Sequence, residues 1–455
     1  MKKTNYHFRK SAGILAAGLA LGVTHVTAQS NDVLLDKLVE KGVLTVKEAN
    51  ELREESDKGF AKAYSAKSGM PEWVQSFKIN GDLRLRYDQI TGDNGDDGTS
   101  IPQRERYRYR ARIGAVATMA DHLEAGIRIG SGDTGNINGQ GSPFSGNSTF
   151  NNDSSRKPVF LDLAYMRYTP FSWMELQAGK MQDLFWATPM IFSPDYNPEG
   201  AQEKFTAPIN DTHSINFTSG QWVICENSSA ADTFVMVDQI DWTAKWHKKF
   251  STRLGVGSYN FIAQDAMANN TVESFVSSYQ NGTPSTGTYV AANGLTYGAQ
   301  DFNPIFARSE ATYNLDSMPL YNGEFPITVS YEYAVNPSAD GMMPDGTHQP
   351  YDGRQNEAYS IGITFGSSKN KGNWQIGYAY KNIETASLWR GFMDDNFGFA
   401  SKGGTDVRGH QITASYRVLT PLTVGLTYFK TEEINNGPTK LGQQDRLFLD
   451  LILAF

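Results

Sequence analysis

From about residue 76 to residue 455, apolar and polar residues alternate one by one in segments of about ten, separated by turn-rich sequence. Leu83-Arg84-Leu85-Arg86-Tyr87 opens the pattern, which recurs at 107–118, 123–129, 327–335, 359–365, 374–380, 412–418 and 422–428. A period of two is that of a strand whose faces meet different surroundings. The connections alternate as well. Those at 119–122, 169–173, 219–221, 247–250 and 420–421 are tight, and those at 91–103, 132–157, 183–211, 263–304, 336–355 and 384–405 are long. Short turns on one side and long loops on the other are the pattern of a transmembrane antiparallel up-and-down β-barrel. Eight long loops and seven tight turns predict sixteen strands in an all-β fold. A soluble sandwich would alternate too, but nothing in it would impose the loop asymmetry.

The last strand carries the strongest form of the pattern. Leu447, Leu449, Leu451, Leu453 and Phe455 share one face, and Arg446 and Asp450 lie on the other. Tyr331, Tyr333, Trp374, Tyr378, Tyr380, Tyr416 and Tyr428 fall in phase with the outward aliphatics, as aromatic girdles at membrane interfaces require. This divides the chain into a leader over 1–28, a helical hairpin and linker over 29–75, and a barrel over 76–455. The leader reads from Lys2, Lys3, Arg9 and Lys10, the short apolar stretch 12–23 and the small residues before Ala28, and it implies export. In the hairpin Leu34, Leu35, Leu38 and Val39 recur at helical spacing, and Gly42 ends the first helix. Thr45-Val46-Lys47-Glu48 is then a capping box in which each end residue can bond the other's amide.

Composition excludes more than it proposes. No run beyond the leader approaches the roughly 20 apolar residues of a spanning helix. The formal charge of −8 falls to about −12 without the four leader cations, which gives no sign of nucleic acid binding. Cys225 is the only cysteine and the seven histidines lack metal-ligand spacing, so neither a disulfide framework nor a metal or other cofactor is expected. The acids of 91–98 miss the spacing of a calcium loop.

The stretch Leu34-Leu35-Asp36-Lys37-Leu38-Val39-Glu40-Lys41-Gly42-Val43-Leu44-Thr45, the later Asn197-Pro198-Glu199-Gly200 and the barrel-like remainder resemble a family of Gram-negative porins. The resemblance implies an outer-membrane channel for passive diffusion, here of small polar or anionic solutes, with both termini periplasmic and no catalytic residues. Homotrimers are common among porins of this size. The alternating end at Phe455 resembles the signature read by the barrel assembly machinery, so that machinery and outer-membrane lipid are the expected partners, beside the solutes. A tethering or adhesion barrel is the alternative. A membrane-embedded hydrolase is a further one, but His122 and His247 fall in predicted turns, and His213 and His410 lack evident serine and acid partners.

Candidate channel residues follow from parity. Arg104, Arg106, Arg108, Arg110 and Arg112 point one way along a strand, and an arginine facing lipid near the midplane costs roughly 2–4 kcal/mol. These five therefore face water. The same parity sets Arg84, Arg86 and Arg128 inward on the neighbouring strands. Strands about 4.8 Å apart make these eight one basic wall, either merely solvated or weakly coordinating carboxylate and phosphate groups. Asp82, Asp88 and Glu124 share its face. General porins fold their third outer loop into the barrel. The third long loop here carries Asp195, Glu199 and Glu203, with Phe185, Trp186, Met190, Ile191 and Phe192 apolar enough to pack against an inner wall, though an exposed loop remains open as an alternative.

Overall fold

The computed structural model describes residues 73–94, 99–133, 145–151, 154–226, 231–263, 289–290, 296–297, 302–339, 355–384, 386–398, 404–434 and 442–455, and isolated positions before 73. The chain divides into the units Met1–Glu72 and Trp73–Phe455. In the first, Leu38, Val39, Lys47, Glu48, Ala49 and Leu52 are helical. The Thr45 amide donates to Glu48 Oε2 at 2.8 Å and the Glu48 amide to Thr45 Oγ1 at 3.2 Å, the two bonds of a capping box. The leader lies outside the described residues.

The second unit is a closed antiparallel barrel of sixteen strands. In chain order these are β1 Val74–Asn94, β2 Thr99–Met119, β3 Leu123–Ser131, β4 Val159–Phe171, β5 Met174–Lys180, β6 Glu199–Pro208, β7 His213–Cys225 and β8 Thr233–His247. The second half comprises β9 Phe250–Ile262, β10 Ile305–Leu315, β11 Phe325–Val335, β12 Glu357–Gly366, β13 Trp374–Ile383, β14 Val407–Leu419, β15 Leu422–Glu433 and β16 Gln443–Ala454. Each strand pairs with the next, and β16 returns to β1 from Asp82↔Ala454 to Asp93↔Gln443. Closure removes the free edges that lipid cannot satisfy. The last residue completes it: the Phe455 and Gly81 amides each donate to the other's carbonyl at 3.0 Å.

Alternation sets the two faces. On β1 Arg84, Arg86, Asp88 and Ile90 are buried while Leu83 and Leu85 are exposed; on β16 Arg446 and Phe448 are buried, Leu447 is half-buried and Leu449, Leu451 and Leu453 are exposed. An apolar belt open all round the wall is stable only against lipid. Phe171, Trp173 and Phe205 form a stacked row on it, as girdle residues do.

Three connections differ from the sequence reading. β1 and β2 keep pairing to Asn94↔Thr99, so the long loop expected at 91–103 is an extended hairpin. The turn expected at 219–221 lies inside β7; the real turn is at 209–212, where Asn210 Oδ1 accepts from the Thr212 and His213 amides. Gly220 misleads because it answers a packing need: a Cβ there would lie 2.9 Å from Trp222 Nε1. The loop expected over 183–211 therefore ends early, and Glu199 and Glu203 stand on β6.

Candidate functional site

A sixteen-stranded wall encloses more space than its own side chains fill, so the loops that enter decide what passage remains. Three do. The first is loop 3, the connection 181–198 between β5 and β6. Its root is a pair of opposed glycines, Gly179↔Gly200, at φ of 120° and 148°. A Cβ would lie 2.3 Å from the Ala164 carbonyl oxygen at Gly179 and 2.1 Å from that of Gln221 at Gly200, so no other residue fits either place. Beyond the root, inward side chains clamp the loop backbone. Gln239 of β8 accepts from the Trp186 amide at 2.7 Å and donates to the Trp186 carbonyl at 2.9 Å. Glu332 of β11 accepts from the Thr188 amide at 3.0 Å and from its hydroxyl.

The second is loop 7, the connection 384–406 between β13 and β14. It docks on loop 3: the Ser193 amide donates to the Phe392 carbonyl at 2.6 Å and the Asp394 amide to the Pro189 carbonyl at 3.0 Å. The Trp389 amide donates to the Tyr259 hydroxyl at 2.7 Å. Phe185, Met190, Ile191 and Phe192 of loop 3 pack with Leu388, Trp389 and Phe392 of loop 7 and with Trp222, Tyr259 and Phe306 of the wall. The lumen is thereby filled over β7 to β11, and the same cluster continues along β12 to β16 through Ala358, Ile383, Val407, Phe429 and Phe448. Loop 7 also brings in the acids Asp394 and Asp395. Burial pushes both carboxyls up, Asp395 to about 6 with the adjacent Asp394 adding to the rise.

The opposite side is charged. Arg86 and Asp450 join β1 to β16 through two bonds at 2.7 and 2.8 Å, and Arg446 grips Asp88 through two at 3.2 Å. The Phe448 ring lies between these guanidiniums, 3.9 and 4.6 Å from their carbons. Arg106 also bonds Asp88, with Arg108 at 3.6 Å from it. Arg110 reaches Asp82 and loop 3's Asp195, both at 3.0 Å, and Arg112 reaches Asp82 at 2.6 Å. Arg128 pairs with Asp162 of β4 at 2.5 Å. Seven of the eight singled-out arginines thus lie together on the inner face, half-buried or buried; Arg104, nearer the 95–98 hairpin end, is exposed.

The third entrant is loop 2, between β3 and β4. Because β3 ends at Ser131, the edge of β2 beyond it pairs instead with Ser148 and Thr149. The preceding Asn147 is buried, and its Oδ1 accepts from Arg84 Nη2 at 2.7 Å.

Of the three acids assigned to the constriction, only Asp195 is in the loop. Glu199 is exposed and pairs with Lys180 at 2.9 Å. Glu203 alternates with buried, inward Gln202 and so faces outward, where it accepts from Gln221 Nε2 at 3.0 Å. Sequence reasoning missed Asp450, Arg446 and Asp162 as partners of the wall, and it missed loop 7. The aromatics Trp389, Phe392 and Phe397, spaced through a polar stretch, were the available signal. His410 bonds the Tyr378 hydroxyl on the outer face and His213 stacks on Trp242. Among the described residues no group of three His, Cys, Asp or Glu side chains could hold a metal ion.

The family model described as "Putative porin" matches residues 99–299 and 306–455. Among solved structures, OprB of Pseudomonas putida is 11% identical over 88% of this chain and 97% of that one, with a TM-score of 0.47. The outer membrane channel DcaP of Acinetobacter baumannii is 13% identical over 84% and 97%, at 0.44. OmpF of Salmonella typhi, in complex with daunomycin, is 8% identical over 83% and 97%, at 0.45. No curated protein matches the chain.

Proposed function

Because the chain belongs to the porin family and forms an outer-membrane β-barrel channel, we propose that small polar solutes, anions in preference, cross it along the inner arginine face of β1, β2 and β16. The observation that carries this reading is a charge imbalance. In that network Arg84, Arg86, Arg106, Arg108, Arg110, Arg112 and Arg446 face the carboxylates of Asp82, Asp88, Asp195, Asp450 and loop 7's Asp395. This reading takes the arginine face as the wall of the aqueous path, with the aromatic cluster of loops 3 and 7 filling the lumen over β7 to β11. Charges on distant loops are screened over about 8 Å at physiological salt, so the net charge of the chain does not decide what an ion meets here. Each wall carboxylate holds its arginines in fixed positions, and the surplus guanidiniums offer donors to passing carboxylate or phosphate groups.

Changing Arg108 and Arg110 to Gln keeps polar side chains inward, so the barrel is expected to assemble while its zero-current potential in a salt gradient moves toward cations. An unchanged potential in a folded, conducting double variant would show that these arginines do not set selectivity.

The same reading places the short-turn end and both termini in the periplasm, and assigns assembly to the barrel machinery reading the last strand. A trimer is its expected assembled state.

A further inference from the structure

Arg84 stands apart from the rest of the wall. It is 9% exposed, yet among the described residues it is the one buried inward arginine of β1, β2 and β16 that pairs with no carboxylate. Its cross-strand neighbour on β2 is another arginine, Arg110. Its Nε has no partner, and its Nη2 has only the neutral carboxamide oxygen of Asn147. A guanidinium held out of water beside a like charge is costly unless an anion compensates it. Arg86 and Arg446 show what such a group takes on this wall: a carboxylate through two donors at once. Asn147 reaches Arg84 through one oxygen and from a loop, with Ser145 Oγ bonded to its own amide and carboxamide nitrogens.

We propose that Arg84 is a binding point for the carboxylate of a translocating solute, and that Asn147 of loop 2 is the neutral placeholder this carboxylate displaces. The incoming group has one more oxygen and a full charge, so it can take both the donor now given to Asn147 and the unused Nε. The proposal rests on the reading of the arginine face as the aqueous path, and adds to it a discrete, saturable site.

The test uses the full-length protein in planar bilayers. Chloride-carried current is measured while potassium acetate is added at constant ionic strength, with folding of each variant checked by heat-modifiable gel mobility. The wild type is expected to show saturable inhibition. Arg84→Gln is expected to raise the half-inhibiting concentration roughly tenfold or more, the loss of one charge-assisted bond pair. Asn147→Asp, which leaves β1 intact and fills the site permanently, should abolish saturation; Asn147→Ala should lower the half-inhibiting concentration. Saturation that persists unchanged in Arg84→Gln and Asn147→Asp would overturn the proposal. An anion-selective wild type without saturable inhibition would overturn the site and leave the arginine path standing, whereas a cation-selective wild type would remove the path itself.

Discussion

Replacing Phe392 by Ala is expected to free loop 7 from the lumen and raise single-channel conductance, without loss of the folded barrel. The Phe392 ring touches those of Phe192, Tyr196, Trp222, Tyr259, Phe261 and Trp389, so it joins loop 7 to loop 3 and both to the wall. Truncating a buried Phe costs about 3–5 kcal/mol. What then holds loop 7 is the packing of Leu388 and Trp389 and a few backbone hydrogen bonds of about 1 kcal/mol each, so the docked state is much weakened. The strand ladder does not pass through Phe392, which is why gel mobility of the folded form should persist while the open-channel current grows and becomes noisier. A variant whose conductance equals that of the wild type would mean that the aromatic cluster does not narrow the passage.

Deleting Phe455, or changing it to Ser, is expected to cut the yield of folded barrel sharply. Its amide and carbonyl form the last closed pair of the β1–β16 seam with Gly81. Its ring lies over that glycine: a Cβ at Gly81 would be 2.8 Å from the Phe455 Cζ. Deletion removes both bonds and the apolar cover together. The Ser variant keeps the bonds and loses only the outward aromatic, so it separates seam closure from recognition of the terminal side chain. Heat-modifiable mobility of outer-membrane fractions reads the yield, and equal amounts of folded wild type and deletion variant would show that the terminus is dispensable for assembly.

The fold was legible because a membrane barrel writes its two faces into neighbouring residues. Parity alone placed Leu83 outward and Arg84 inward, and the last strand, with four leucines in step, left no other register. Parity says nothing of partners across the closure, since Arg86 and Asp450 lie 364 residues apart and meet only when β16 returns to β1. The same limit hid Arg446 and Asp88, and so made the wall look more nakedly basic than it is. Turn composition misled where glycine serves packing: Ser219-Gly220-Gln221 looks like a turn, but Gly220 makes room for Trp222. Glu199 and Glu203 were misplaced for a related reason. Nothing in Asn197-Pro198-Glu199-Gly200 marks where loop 3 stops, because its root is set by the backbone conformation of Gly200 opposite Gly179, a pairing that exists only in the sheet. Loop 2 entered for a reason of length: β2 outruns β3, and the unpaired edge draws in Ser148 and Thr149.

An aqueous path along an arginine face narrowed by loops 3 and 7 can be read from recordings of the purified wild type in planar bilayers under a potassium chloride gradient at pH 8 and pH 5. Stepwise openings are expected, with a zero-current potential on the anion side at pH 8. At pH 5 the potential should shift further toward anions, because Asp395, with its carboxyl raised to about 6, takes up a proton as pH falls and Asp394 follows in the same direction, removing negative charge from beside Arg108 and Arg446. Absence of openings, or a potential on the cation side at both pH values, would contradict such a path.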